Sequence, residues 1–227
     1  MYSIELTFSQ ALGLQKNGKL EDAEKLYREI LKTEPRHANS NHNLGVLLTI
    51  NNKADDALIL FKVAIEVNPN IEQFWISYIN IFIDQKNFKE AEIISKKITN
   101  LKPNFYRVHF ILGLILNDLG KLDEAEASYR KAIELKFDYA EAYYNLGIIL
   151  ISQERLKEAE ASNRKAIQIK PDYSKAYYNL GLILKKQERL EEAEASNRKA
   201  IELKPDYAEA YNNLGTILQI EGKLKDA

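Results

Sequence analysis

The chain has 227 residues, 45% of them hydrophobic and 29% charged, with a formal net charge of −1 and no cysteine. A near-neutral balance without a basic block argues against a nucleic-acid footprint, and the missing thiols exclude disulfides, thiolate metal sites and cysteine chemistry. No uncharged apolar run approaches the length that spans a bilayer, and the opening segment has no basic n-region and is interrupted by Glu5, so no membrane or secretory role is read and the chain is placed in the cytoplasm by default.

A period of 34 residues organises everything else. Pro35, Pro69, Pro103, Pro171 and Pro205 share one register, with Phe137 in the remaining place. Ala23, Ala57, Ala91, Ala125, Ala159, Ala193 and Ala227 form a second column, and Gly45, Gly113, Gly147, Gly181 and Gly215 a third. A unit this short cannot bury its apolar face alone, so the period predicts an all-α solenoid in which each unit stacks on its neighbours. The units run 4–37, 38–71, 72–105, 106–139, 140–173 and 174–207, with a partial seventh over 208–227, as one array spanning 1–227.

Each unit predicts two helices. The first has Ala11 in the glycine register, Gly18 at the turn and Pro35 as the stop, the residue before a proline being pushed out of the α region. The third departs from the pattern: Ile79 stands in the glycine place, and Phe74, Trp75, Ile76, Ile81, Phe82 and Ile83 crowd the same helix. A wider crossing follows, with core repacking favoured over an exposed apolar patch. In the fourth, Phe137 removes a helix stop, so its second helix is expected to run on. The fifth is the clearest: Tyr143, Leu146, Gly147, Ile149 and Leu150 share one face, Gln153 to Arg155 turn the chain, and Leu156, Ala159, Ala166 and Ile167 return against it. Ser95, Asn163 and Asn197 replace the aromatic knobs Tyr27, Phe61 and Tyr129, and half-exposure is the cheapest way to accommodate them. Asn70 with Gln73, Asp138 with Glu141 and Asp206 with Glu209 have the spacing of helix-start caps. In the seventh unit Ala227 begins the second helix, leaving the apolar side of Leu214, Leu218 and Leu224 uncovered, an end suited to self-association.

The segment AYYNLGIILISQERLKEAEASNRKAIQIKPDY resembles a tetratricopeptide repeat, with an aromatic, Leu-Gly, a bulky apolar residue, then alanine, alanine and proline. The resemblance covers essentially the whole chain and implies a right-handed α-solenoid superhelix of stacked antiparallel helix pairs, with a concave binding surface lined by the first helix of each repeat. Position six of that helix carries Asn43, Asn145, Asn179 and Asn213, a column similar to the asparagine ladder in the repeat arm of protein O-linked N-acetylglucosaminyltransferases, where amides meet the main chain of an extended peptide. Position five supplies Phe8, Ile76, Phe110, Tyr144 and Tyr178, and position nine supplies Leu114, Ile148 and Leu182, a greasy groove beside the amides. The chaperone-tail clamp of the same family requires lysine at position five, which never occurs here; Arg107, Lys175 and Asn80 are scattered.

The expectation is therefore a scaffold for protein–protein interaction, holding an extended or amphipathic peptide in the groove, with no catalysis, cofactor or metal. The alternative is the substrate-recruiting arm of a larger glycosyl- or sulfotransferase whose catalytic domain lies elsewhere. His37, His42 and His109 fall at unrelated register positions, and no phosphate loop or nucleophile motif occurs.

Overall fold

A computed structural model describes residues 3–222. Among these are thirteen α-helices and no strand: α1 (Ile4–Lys16), α2 (Leu20–Thr33), α3 (Ala38–Ile50), α4 (Ala54–Val67), α5 (Glu72–Asp84), α6 (Phe88–Leu101), α7 (Tyr106–Asp118), α8 (Leu122–Leu135), α9 (Ala140–Ser152), α10 (Leu156–Ile169), α11 (Ser174–Lys186), α12 (Leu190–Leu203) and α13 (Ala208–Ile220). The fold is an all-α solenoid of antiparallel helix pairs. It divides into two compact units, Met1–Val108 and His109–Ala227.

The turn inside each pair is one motif repeated. Gly18, Asn52, Lys86, Gly120, Glu154, Glu188 and Gly222 all have φ between 57° and 76°, and they stand 34 residues apart. At each of the first six the following amide reaches back across the turn, as Arg155 N does to Leu150 O at 2.9 Å and Arg189 N to Leu184 O at 3.0 Å. This is a Schellman ending, and glycine fits it at least cost. Asn52, Lys86, Glu154 and Glu188 hold the left-handed conformation without that freedom, so the packed helix pair imposes it on them.

Burial follows the columns. Ala23, Ala57, Ala91, Ala125, Ala159 and Ala193 are fully buried. In the first unit the core joins Ala11, Tyr27, Leu44, Leu47, Leu48 and Phe61; in the second it joins Leu112, Leu116, Tyr129, Leu146, Leu150 and Ile183. The glycine column faces the knobs directly. A Cβ on Gly45 would lie 2.6 Å from the Phe61 ring, and one on Gly147 would lie 2.2 Å from Nδ2 of Asn163.

Several expectations need correction here. Ser95, Asn163 and Asn197 are completely buried, not half-exposed. The two asparagines are tolerated because each donates its amide to the carbonyl one turn back on its own helix, Ala159 O at 2.9 Å and Ala193 O at 2.7 Å. In the third repeat, Ile79 and Ser95 occupy the places of glycine and knob, and both are fully buried. Large and small have changed sides across the crossing. α5 and α6 accordingly come close at fewer positions than α1 with α2 or α3 with α4, in keeping with the wider crossing expected there. Phe74, Ile76, Ile79 and Ile81 are buried, so the crowded helix is core; the exposed apolar side chains of this repeat are Ile93 and Leu101 on α6.

α8 does not run on past Phe137. It ends at Leu135, in the register of its counterparts, and Lys136 leaves the helix at φ −141°. A proline is therefore not required to end a helix at this register, and Phe137 is left 77% exposed at the turn. The expected caps are also absent, because the N-cap residues are Ile71, Tyr139 and Tyr207, one position later, and none makes a side-chain cap bond. Asn70 Oδ1 instead accepts from Lys102 Nζ at 2.6 Å. A cap does come from a neighbouring repeat at one site, where Glu72 Oε1 accepts the amides of Arg107 at 2.7 Å and Val108 at 3.3 Å. Leu214 and Leu218 are buried, with Ile217 beside them packed on Leu180, Leu184 and Ala193; the apolar residues exposed on α13 are Tyr211 and Ile220. Leu224 and Ala227 lie outside the described residues.

Charged side chains link successive second helices in the second unit. Glu126 accepts from Arg130 at 2.8 Å and from Arg155 at 2.6 Å, while Glu158 accepts from Arg155 at 2.7 Å and from Arg130 at 3.1 Å, closing a four-membered ring between α8 and α10. Glu160, Arg164, Arg189 and Glu192 repeat the ring between α10 and α12. Spacing along one helix showed only half of each ring.

Candidate interaction face

The first helices of the second unit place one aromatic and one aliphatic side chain each on a common register. Phe110 and Leu114 come from α7, Tyr144 and Ile148 from α9, Tyr178 and Leu182 from α11. Ile148 is exposed and the other five are half-buried. Helical geometry explains the pairing, since residues four apart share a face.

Each aromatic rests on a second one that leads into the next repeat. The ring centroids of Phe110 and Tyr139 are 4.9 Å apart, those of Tyr144 and Tyr173 5.0 Å, and those of Tyr178 and Tyr207 5.2 Å, all tilted. Over the outer rings sit ammonium groups, Lys136 at 5.7 Å, Lys170 at 5.0 Å and Lys204 at 4.9 Å, the geometry of a cation–π contact. Burial, reinforced by the neighbouring tyrosines and Glu209, pushes the Tyr207 phenol up to about 12, and burial likewise raises Tyr173, Tyr144 and Tyr178. These hydroxyls stay protonated and remain available as donors. Tyr139, Tyr173 and Tyr207 were not among the residues singled out from sequence, although their recurrence every 34 residues was there to be seen.

The asparagine column is placed differently from a ladder open to solvent. Asn179 and Asn213 are 6% and 4% exposed, and Asn43 and Asn145 are half-buried. Asn213 donates to Asn197 Oδ1 at 3.1 Å and accepts from Lys185 Nζ. Asn43 donates to the Tyr27 hydroxyl at 3.1 Å. Both tie a first helix to the second helix of the preceding repeat. Asn145 donates to Glu141 O at 2.7 Å. Asn163 Oδ1 and Asn179 Nδ2, at the register where Asn197 and Asn213 pair, are buried without a partner.

In the first unit the same register holds Phe8, half-buried against Tyr27 at 5.9 Å and His37 at 5.3 Å, and Ile76, which is 3% exposed and belongs to the core. His42 stacks on Phe74 at 4.8 Å and shares a hydrogen bond with Ser77 Oγ at 2.9 Å; burial lowers its pKa. Among the described residues no three His, Asp or Glu side chains converge to hold a metal ion, and no helix is long and apolar enough to cross a membrane.

Family models described as Tetratricopeptide repeat match residues 8–70, 140–173, 174–207 and 197–227, and one described as TPR repeat matches 113–153. Three solved structures share the fold. One, titled for Pseudomonas aeruginosa PilF, is 18% identical with a TM-score of 0.77, covering 96% of this chain and 97% of that one. YrrB, titled a TPR protein with an unusual peptide-binding site, is 23% identical with a TM-score of 0.65, covering 82% and 96%. A double mutant of MamA from RS-1 is 19% identical with a TM-score of 0.65, covering 75% and 96%. The matched stretches together take in more than half of the sequence, two of them, 140–173 and 174–207, coinciding with the pairs α9–α10 and α11–α12, and the chain belongs to the tetratricopeptide-repeat family.

Proposed function

We propose that this protein is a non-catalytic interaction scaffold whose first-helix face holds an extended segment of a partner protein. The observation that carries the reading is the rail of Phe110, Leu114, Tyr144, Ile148, Tyr178 and Leu182, two apolar side chains per repeat left exposed at Ile148 and half-covered at the others. Fully burying such a side chain contributes about 1.5 to 3 kcal/mol, so completing the burial of several half-covered ones offsets the cost of association only modestly. That favours a weak, reversible partner with spaced apolar residues. The amide of Asn213 acts in this reading as a support of the rail through its bonds to Asn197 and Lys185, with Asn145 the amide best placed to meet a bound main chain.

The test is a random extended-peptide library screened by fluorescence anisotropy against the intact protein and an Ile148→Asp, Leu182→Asp variant, with Ile93→Ser as a control at an exposed site on a second helix. The double variant should lose binding at least about tenfold, equivalent to 1.4 kcal/mol, while the control binds normally. Unchanged affinity in the double variant, with helical content preserved, would remove the rail from the mechanism.

A further inference from the structure

Between the C-terminal halves of α3 and α5 the first-helix face of the first unit opens into a pocket of about 180 Å³. Val46, Thr49 and Ile50 form one wall, Ser77, Asn80 and Asp84 the other, and Phe61 lies at the floor. Two of its polar groups are already engaged. Thr49 Oγ1 donates to Gly45 O at 3.0 Å, and Ser77 Oγ is held by His42 Nε2 at 2.9 Å and Gln73 Nε2 at 3.4 Å. Among the described residues the side chains of Asn80 and Asp84 have no hydrogen-bond or ion-pair partner.

The position of Asp84 is electrostatically adverse. It is the last residue of α5, at the negative end of the helix dipole, where a cation is the favoured neighbour even though turn amides bond the carbonyls of Ile81, Phe82 and Ile83. Neither α3 nor α5 has a basic residue in its last turn to compensate. The pocket thus combines one largely apolar wall with a polar wall that ends in a carboxylate, and its lining holds no cation. An aliphatic occupant would strip water from the carboxylate without replacing it, and an anionic one would be repelled. A side chain with a methylene stem and a cationic head satisfies both parts.

We infer that this pocket takes a lysine or arginine side chain of the bound segment, with its stem against Val46, Ile50 and the Phe61 ring and its cation at Asp84 and the Asn80 amide oxygen. The inference rests on the reading that the first-helix face holds a peptide, and it names a residue that such a peptide carries. The site belongs to the third repeat's departure from the pattern, since Asn80 and Asp84 share a helix with Ile79.

Two experiments separate the pocket from the wider reading. The intact, nitrogen-15-labelled protein is titrated with N-acetyl-lysine methylamide and, in parallel, with N-acetyl-norleucine methylamide, which has a similar stem and no charge. Saturable amide shifts at Ile50 and Asp84 are expected with the lysine compound alone, and they should vanish in Asp84→Asn. Equal shifts with the norleucine compound, shifts that persist in Asp84→Asn, or none at all would overturn the assignment. In the second experiment, peptides selected from the random library should be enriched in lysine or arginine. Replacing that residue with norleucine should weaken binding about tenfold to the wild type and not to Asp84→Asn, the scale of a lost charge-assisted hydrogen bond. Selected peptides that tolerate norleucine would sink the pocket and leave the scaffold standing. A library that yields no binder would count against the scaffold, with the single-residue titration still deciding the pocket.

Discussion

Substituting Gly147 by alanine should destabilise this protein, yet the same change should stabilise it once Asn163 is serine. The added Cβ would stand 2.2 Å from Asn163 Nδ2, and that amide is pinned in a fully buried site by its 2.9 Å bond to Ala159 O. Relieving the overlap means swinging the amide away, which forfeits a hydrogen bond of about 1 kcal/mol and adds packing strain of about 1 to 3 kcal/mol. Alanine returns about 0.5 to 1 kcal/mol of helix propensity, so the net cost is about 1 to 3 kcal/mol. Serine at 163 removes the obstructing amide, as Ser95 does opposite Ile79, and only the propensity gain of about 0.5 to 1 kcal/mol should remain. Gly13, where an added Cβ would meet nothing within 4 Å, is the internal control: Gly13→Ala should stabilise by a similar amount in the wild-type background. The assay is a double-mutant cycle read by urea denaturation, with amide hydrogen exchange on α9 and α10 to localise the effect, because a repeat array need not unfold in one step. Additivity of the two changes within about 0.5 kcal/mol would refute the facing-pair account.

Two other outcomes follow from features already described. Glu188→Gly should raise stability by up to about 1 kcal/mol, since an L-residue there holds a φ of 62° that costs about 1 to 2 kcal/mol, part of which the greater freedom of unfolded glycine cancels; a lower melting temperature would contradict the Schellman assignment. Acid should act on the two units through different groups. Burial alone would raise Glu126 and Glu160, but hydrogen bonds from paired arginines outweigh it and hold both below their ordinary 4.5, so stability of the second unit is present above that value and is lost as pH falls through the lower folded pKa. His42 is depressed by burial below 6.5, so the first unit begins to lose stability as pH drops below 6.5, where the unfolded chain takes up the proton first. Thermal melts across pH should show the higher window disappear in His42→Gln and the lower one shrink in Glu126→Gln, Glu160→Gln.

The period, the helix registers and the small-residue columns were legible because they depend on spacing along the chain. What stayed hidden depends on which residues face one another. Ile79 and Ser95 read as two separate anomalies until the crossing placed them opposite. Asn163 and Asn197 looked too polar to bury because their partner is a carbonyl of their own helix, which no side-chain pattern reports. The asparagines at position six fall on the border between the open face and the repeat junction. For Asn213 the junction prevails, since its amide bonds Asn197 of the preceding repeat, and Asn179 is buried at the same register, whereas most of the rail residues stay half-open. The acidic pairs read as caps failed for a smaller reason, a shift of one residue at Tyr139 and Tyr207.

The arginine and glutamate rings bear on how such a chain lengthens. Each ring draws two members from one second helix and two from the start of the next, so a copied repeat brings along half of the joint on either side. Insertion of another copy beside the fifth and sixth would regenerate a closed ring at both new seams with no further substitution. The same copy set beside the third repeat would meet Glu92 and Lys96 where Glu126 and Arg130 stand in the fourth, and a lysine lacks the planar fork that bridges two carboxylates. Growth by duplication is thus easiest where the chain is already most uniform.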